Sequence, residues 1–235
     1  MVPLLQNKLK RNQFNDLMTI SLPYVLTYLS RYFMQFIDRL LITSFFSLST
    51  LGLYALVNRI GQVFTFTLQI ISSRFRPIIT VNYSSQEGQG LSRKIFNVYW
   101  IASAPVSIIS ILIAPLLVNL FWGEQYLLAA PVLPYIVLSV WFLGSFFLFG
   151  FAYQIKRKTI YVTLITFSVV ILVYLLSLMF IKFSGMLGIA QATTISAALG
   201  AFIYIFGSEQ LFSFRYSMKL MLVCMLASLV IIFSF

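Results

Sequence analysis

Long apolar stretches separated by short polar breaks follow one another from residue 16 onwards. A helix needs roughly 20 mostly apolar residues to cross the hydrocarbon core of a bilayer. Seven stretches approach or exceed this length, at residues 16–46, 51–79, 95–121, 130–154, 159–181, 186–207 and 218–235. The breaks are rich in Ser, Gly, Asn, Gln and basic residues, which favour turns. The pattern therefore predicts an all-α, polytopic integral membrane helical bundle with about seven transmembrane helices.

The same pattern divides the chain into four parts. Residues 1–15 form a basic lead-in on the cytoplasmic side, and residues 16–207 form a six-helix transmembrane lobe. Residues 208–217 form a cytoplasmic loop, and residues 218–235 add a further transmembrane segment.

The distribution of cations predicts how the bundle is oriented. The chain is 60% hydrophobic and 9% charged, with a net charge of +11. If the N-terminus is cytoplasmic, 12 of the 16 Lys and Arg residues lie in cytoplasmic segments and only Lys182 lies outside. Cytoplasmic loops of membrane proteins carry this excess. The charge thus predicts a cytoplasmic N-terminus and a bilayer as partner, with no nucleic acid needed to explain it.

Several kinds of chemistry are disfavoured by what the composition lacks. The chain has no histidine, its one cysteine is Cys224, and Asp38 is the only one of five acids well inside a span. Histidine-based triads, paired-carboxylate sites and His/Cys metal sites need residues that are missing here. We therefore expect neither an enzyme nor a metal or cofactor site.

Four charged residues lie inside the first two apolar stretches: Arg31, Asp38, Arg39 and Arg59. A charge at bilayer depth costs at least a few kcal/mol, and such residues usually face a bundle interior or a watery cavity. Arg31 and Asp38 are separated by nearly two helical turns and share a face of the first helix. Contacts of Asp38 with Arg39 or Arg59 are possible at this depth.

Two interpretations of these charges stay open. In the structural one, they form a buried pair while a third arginine extends to the interface. In the functional one, they line a cavity whose three arginines outweigh its single acid. Guanidinium groups bind phosphate through paired hydrogen bonds, so this cavity would take an anionic or phosphate-bearing substrate.

Aromatic residues add a candidate contact on the same helix. Tyr24, Tyr28 and Tyr32 recur every four residues on a face that also reaches Arg31 and Gln35. Tyrosines with this spacing serve either helix packing and the interfacial belt or contact with a sugar or headgroup. Tyr28 is the candidate for substrate contact.

Small residues mark one helix face in the sixth stretch. Gly188, Ala192, Ser196 and Gly200 recur every four residues. Such a face lets another helix approach closely in a membrane. We interpret it as a packing surface rather than a ligand site.

Several short motifs, in a fixed order, resemble the second half of the polysaccharide biosynthesis proteins. These are oligosaccharide-lipid flippases of the multidrug/oligosaccharidyl-lipid/polysaccharide exporter superfamily. The motifs span most of the chain and are Ser21 to Leu41 with its Asp38-Arg39 pair, Leu51-Gly52-Leu53-Tyr54-Ala55 followed by Arg59, Phe121 to Tyr126, Lys156-Arg157-Lys158, and Lys182 to Ala190.

The resemblance implies a protein of the bacterial inner membrane. It would flip an anionic, undecaprenyl-pyrophosphate-linked oligosaccharide during O-antigen, capsule or exopolysaccharide biosynthesis. Arg31 and Arg59 would contact the pyrophosphate or an acidic sugar, and Asp38 with Arg39 would form a charge pair or gate. Members of this family have two lobes around a cationic cavity, whereas this sequence resembles one lobe.

The single lobe leaves alternatives for how the chain works. A separate N-terminal half or a second copy of the chain would complete the cavity of a transporter. Otherwise the chain is a non-transporting remnant or an assembly subunit of the export system. A cation-exporting multidrug transporter is disfavoured by the arginines, and a membrane enzyme is disfavoured by the missing histidine and scarce acids.

Overall fold

Helices account for nearly all of the described chain, and no strand occurs in it. The computed structural model describes residues 11–82, 85–212 and 215–234. Its helices are α1 (Arg11–Phe45), α2 (Leu48–Asn82), α3 (Gln86–Trp122), α4 (Val132–Phe149), α5 (Phe151–Ile155), α6 (Thr159–Phe212) and α7 (Met218–Phe233), with a 3₁₀ turn at Glu124–Ala129.

Helix α3 begins at Gln86, earlier than the predicted residue 95, because its first turn is capped. The Ser85 side chain accepts a hydrogen bond from the Gly88 N–H over 3.0 Å. A serine in this position satisfies one of the amides that a helix start leaves free. The polar stretch before the third apolar segment is therefore partly helical rather than a loop.

Helix α6 is a tight hairpin of two helices that reverses at Gly185. This glycine has φ 58° and ψ −134°, a conformation outside the helical region. A Cβ built on Gly188 would meet the backbone of Phe180, and one built on Gly200 would meet Val169 at 2.4 Å. Both pairs are centred on residues 184–185, as an antiparallel hairpin requires. The predicted helices at 159–181 and 186–207 are thus present, and the small-residue face packs helices.

The order of packing shows that successive helices alternate in direction. Contacts between helices that are two or four segments apart along the chain keep a nearly constant sequence offset, which parallel neighbours require. These contacts are Gly61 with Ile136 and Leu68 with Gly144 for α2 and α4, Tyr135 with Thr194 and Phe149 with Ser208 for α4 and the second half of α6, and Ser92 with Tyr216 and Ser103 with Ser228 at α3 and α7.

Neighbouring helices run in opposite directions. Phe96 contacts Phe149 while Trp100 contacts Phe142, so α3 and α4 are antiparallel. Together with the parallel pairs, this relation fits seven segments that pass back and forth through one layer, when the two halves of α6 are counted separately and the short α5 is counted with α4. The fold is an all-α membrane helical bundle.

Helix α4 lies at the centre of the bundle. Fifteen of its eighteen residues are buried, and it packs against α2, α3, α6 and α7. Large apolar side chains are instead exposed on the outer helices, where they recur at helical spacing. In the first half of α6 the exposed residues include Ile160, Leu164, Phe167, Ile171 and Leu175. An apolar outer surface around a packed core is the arrangement that a bilayer stabilises.

Three helices among the described residues are long and apolar enough to cross a membrane. They are Gln86–Trp122, Val132–Ile155 and Thr159–Leu211, and the last of these contains the hairpin. Met218–Phe233 is apolar but shorter. Helices α1 and α2 are each 35 residues long, and they carry the four charges singled out above.

The loop before α7 is fastened to the bundle. The Glu209 carboxylate accepts hydrogen bonds from the N–H groups of Arg215 and Tyr216. The Tyr216 hydroxyl lies 2.7 Å from that of Ser92, and burial raises the pKa of Tyr216. The phenol therefore stays protonated near neutral pH and holds the start of α7 against α3.

Candidate functional site

A polar cavity of about 170 Å³ lies between α1, α2, α4 and α6. Nineteen residues line it, and they combine charged groups, amides and hydroxyls with an apolar wall. The polar members are Arg31, Gln35, Asp38, Arg39, Tyr54, Asn58, Gln62, Thr65, Ser139, Thr166 and Thr193.

The cavity exists because α1 and α2 are held by different neighbours. Helix α1 packs mainly on α6 and α2 mainly on α4, while α1 and α2 contact each other much less. Gly61 allows α2 to approach α4, since a Cβ there would lie 2.5 Å from Ile136. The Pro23 carbonyl in α1 accepts a hydrogen bond from Thr163 of α6 over 2.7 Å. These contacts leave a space between α1 and α2.

Asp38 is buried at one side of the cavity, with 8% of its surface exposed. The Tyr54 hydroxyl donates a hydrogen bond to Asp38 Oδ2 over 2.9 Å, while Oδ1 has no hydrogen-bond partner. Tyr54 is itself 1% exposed. The possible contacts of Asp38 with Arg39 or Arg59 are not formed as ion pairs in the described part of the chain. A phenol, not an arginine, holds this carboxylate.

Arg31 lines the same cavity, about two helical turns before Asp38 on α1, and contacts an aromatic ring. Its guanidinium carbon is 4.9 Å from the centre of the Phe147 ring. A cation over an aromatic face is attracted by the ring's quadrupole, by about 0.5–2 kcal/mol depending on desolvation. This contact orients the guanidinium without neutralising it. The charge is therefore available to an anion in the cavity.

Arg39 connects this cavity with a second, more open cleft. The second cleft is lined by Arg39, Leu51, Ala55, Arg59, Gln62, Val63 and Phe66. Arg39 and Gln62 line both spaces, and Arg39, Arg59 and Gln62 are all exposed. The predicted site residues are thus divided: Arg31, Asp38 and Arg39 share the enclosed cavity, and Arg59 lies in the adjoining cleft.

Tyr28 lines neither space. It is 68% exposed, and Tyr32 is 78% exposed. Tyr24 points inward, where its hydroxyl is buried and has no hydrogen-bond partner. The structure therefore does not place the tyrosine stripe in the cavity that Arg31 and Asp38 line, and a substrate contact by Tyr28 stays a prediction.

Sequence reasoning missed the polar face of α2. Tyr54, Asn58, Gln62 and Thr65 line the cavity, and their spacing of four, four and three residues places them on one helix face. Ser139 of α4 and Thr193 of α6 face them. The signal was present in the sequence as polar residues at helical spacing within an apolar stretch.

The electrostatic balance of the enclosed cavity is positive. Two arginines, Arg31 and Arg39, outnumber the single carboxylate of Asp38 among the lining residues. The adjoining cleft adds Arg59 and no acid. Neighbouring amides and hydroxyls can donate and accept hydrogen bonds. This set of groups suits an anionic ligand with further polar substituents, and among the described residues no cluster of three or more acids, cysteines or histidines could hold a metal ion.

A family model described as polysaccharide biosynthesis protein matches residues 4–131, which is more than half of the chain. The chain belongs to this family. In this polysaccharide biosynthesis protein the matched residues cover α1, α2 and α3. They include the charged residues Arg31, Asp38, Arg39 and Arg59, and also Tyr54. Neither the curated proteins nor the solved structures contain a match.

Membership of the polysaccharide biosynthesis protein family confirms the family expected from the sequence motifs. It associates this membrane protein with the synthesis and export of polysaccharide. The family is of the transporter type. The α1–α2 region that forms two walls of the cavity lies inside the matched residues, whereas α4 and α6 follow them.

Proposed function

We propose that this protein moves an anionic, lipid-linked oligosaccharide across the bacterial inner membrane for O-antigen, capsule or exopolysaccharide biosynthesis. The observation that carries the proposal is an arginine-lined polar cavity inside a bundle with an apolar exterior. The substrate class is an undecaprenyl-pyrophosphate-linked oligosaccharide, whose pyrophosphate would meet the positive charge.

The arginines have distinct roles in this proposal. Arg31 binds the pyrophosphate from inside the enclosed cavity, where stacking on Phe147 orients its paired N–H donors. Arg59 in the open cleft makes the first or last contact. Arg39, which lines both spaces, passes the anion between them while Asp38 remains held by Tyr54.

The exposed polar side of α1 and α2 supports a partner in transport. Arg39, Arg59 and Gln62 are exposed on α1 and α2, within the two stretches that the sequence predicts to cross the membrane, and charges facing lipid are costly. A separate N-terminal half, or a second copy of this chain, would cover this side and leave a watery path between the two bodies. The N-terminus is cytoplasmic in this arrangement.

The test is a cell that needs this protein for surface polysaccharide. We expect Arg31→Ala and Arg59→Ala each to lower surface polysaccharide, and lipid-linked precursor to accumulate on the cytoplasmic leaflet. Loss of a charge-assisted contact corresponds to roughly a tenfold weaker interaction or more. Arg74→Ala is the matched control, because Arg74 is exposed on α2 and lines neither space.

Normal polysaccharide in both arginine variants, at wild-type membrane levels, would contradict the assigned roles. If deletion of the whole chain changed polysaccharide assembly but left precursor flipping intact, the chain would instead be a non-transporting assembly subunit. If deletion changed neither, it would be an inactive remnant.

A further inference from the structure

The free carboxylate oxygen of Asp38 has no role in the phosphate contacts proposed above. Its Oδ2 is held by Tyr54, but Oδ1 is buried without a hydrogen-bond partner in a side chain that is 92% buried. Leaving a buried acceptor unsatisfied costs free energy, and more so for a charged group. An oxygen kept in this condition beside a cavity points to a donor that arrives with the ligand.

The groups around Asp38 indicate what kind of donor this is. From α1 the charged groups lining the cavity are Arg31 and Arg39, and from α2 the titratable group is Tyr54. Helices α4 and α6 contribute only hydroxyl and apolar side chains, among them Ser139 and Thr193. The positive charges of the two arginines would repel a metal cation here, but they would not repel a neutral hydroxyl group. The surroundings therefore favour a neutral donor.

The size and walls of the cavity fit one sugar ring. A water molecule needs about 10–15 Å³ of cavity volume. The cavity of about 170 Å³ therefore holds about a dozen water molecules. A hexose has a comparable number of heavy atoms. Its hydroxyls lie around the ring edge and its C–H groups on the ring faces. Asp38, Asn58 and Thr193 can meet the hydroxyls, while Leu143 and Phe146 cover an apolar face.

We propose that Asp38 Oδ1 is the sugar-recognition acceptor of this cavity. It binds hydroxyl groups of the sugar next to the pyrophosphate, with Tyr54 as the positioning residue that aims the carboxylate. This inference rests on the proposed function, because it assumes a lipid-linked oligosaccharide as ligand. It adds a neutral sugar subsite to the arginine contacts and makes Asp38 a specificity determinant rather than half of an ion pair.

The experiment compares two kinds of lipid probe on the purified full chain in lipid nanodiscs. One probe is farnesyl diphosphate, and the others are the same lipid carrying a single glucose, galactose or N-acetylglucosamine. We expect wild type to bind at least one glycosylated probe more tightly than the bare diphosphate. Asp38→Asn should remove roughly a tenfold preference, the size expected for a hydrogen bond to a charged group. It should not weaken binding of the bare diphosphate, because the substitution removes a negative charge from a cavity that binds an anion.

Two further variants separate recognition from folding. Tyr54→Phe keeps the carboxylate but releases it, so the sugar preference should shrink while the bare diphosphate still binds. Glu124→Gln removes the same charge from an exposed position in the 3₁₀ turn and should change neither affinity. Bare diphosphate binding by Asp38→Asn shows that the variant is folded. If that variant does not bind it, Tyr54→Phe decides the question.

Each alternative outcome is distinct. Failure of wild type to bind any of the probes overturns the proposed function as well. Equal wild-type affinity for bare and glycosylated probes overturns the sugar subsite and leaves the anion site standing. A preference that Asp38→Asn and Tyr54→Phe both retain also overturns it. If these variants retain the preference but change the dependence of binding on sodium or pH, Asp38 is a cation site.

Discussion

The hydroxyl of Tyr54 donates a hydrogen bond to the carboxylate of Asp38 over 2.9 Å and thereby joins α2 to α1. Both side chains are buried, so the bond is shielded from water and salt. The bond lies close to the turn between the two helices. Asp38 is seven residues before the end of α1 at Phe45, and Tyr54 is six residues after the start of α2 at Leu48. The cavity extends from this point along both helices.

Removal of this hydrogen bond should weaken the fold. In Tyr54→Phe the buried carboxylate loses the phenol that donates to its Oδ2, and an unsatisfied charged group costs about 1–3 kcal/mol or more. We expect a lower midpoint of thermal unfolding in detergent for Tyr54→Phe than for wild type. Tyr174→Phe, at a side chain that is 45% exposed on α6, should leave the midpoint unchanged. Equal midpoints for both variants would show that the bond contributes nothing to stability.

The contact of α2 with α4 depends on Gly61. A Cβ at this position would lie 2.5 Å from Ile136, so Gly61→Ala should separate the helices and cost about 1–3 kcal/mol through overpacking. Gly52→Ala is the matched control in the same helix, because no atom lies within 4 Å of its Cβ position. There the higher helix propensity of alanine should stabilise by about 0.5–1 kcal/mol. Chemical or thermal unfolding of both variants measures the opposite signs.

The hairpin in α6 depends on the conformation of Gly185. Its φ of 58° combined with ψ of −134° lies in a region that side-chain-bearing residues avoid. Gly185→Ala should therefore cost about 1–3 kcal/mol. Gly90→Ala in α3, where nothing lies within 4 Å of the Cβ position, should not. Unfolding midpoints compare the two, and an unchanged midpoint for Gly185→Ala would contradict the strained reversal.

Water access should distinguish the cavity from the lipid-facing surface. The single native cysteine allows a background of Cys224→Ala, into which one new cysteine is placed. We expect Gln62→Cys, beside both polar spaces, to react with a membrane-impermeant maleimide in open membranes. Leu116→Cys, 64% exposed on the apolar side of α3, should not react. Equal labelling of both positions would contradict a hydrated cleft.

The same reagent tests orientation in intact cells. With a cytoplasmic N-terminus, Lys182→Cys beside the hairpin reversal faces outward and is labelled. Lys94→Cys at the other end of the bundle is protected until the cells are opened. Both lysines are exposed in the structure. The reverse pattern would invert the predicted topology.

The seven segments could be predicted from the sequence because a helix that crosses a membrane needs a long run of apolar residues. Polar residues within such a run are costly in lipid. The hairpin at Gly185 was visible as Lys182-Phe183-Ser184-Gly185, a polar break with a glycine. The extra turns of α3 were not visible, since Gln86 to Gly90 are polar, although Ser85 caps the helix at their start. The predicted start at residue 95 followed the hydropathy pattern alone and did not take the Ser85 cap into account.

The candidate site was predicted in part because charge in an apolar helix is conspicuous, whereas helix rotation is not. Arg31, Asp38 and Arg39 share the cavity, but Arg59 lies in the adjoining cleft and Tyr28 in neither. The carboxylate's partner, Tyr54, could not be identified because a tyrosine in an apolar stretch is ordinarily a packing residue. Which side chains meet across two helices depends on how each helix is rotated about its axis, and the hydropathy pattern of a single sequence does not give that rotation.

The weak packing of α1 against α2 has a consequence for a ligand made of two unlike parts. The space between these two separately anchored helices adjoins the more open cleft, and the exposed side chains of Arg39 and Gln62 line both. A polar headgroup would then move through the cavity and the cleft while its hydrocarbon tail stays in the surrounding lipid. The protein would then need to shelter only the headgroup, and the length of the lipid would not matter.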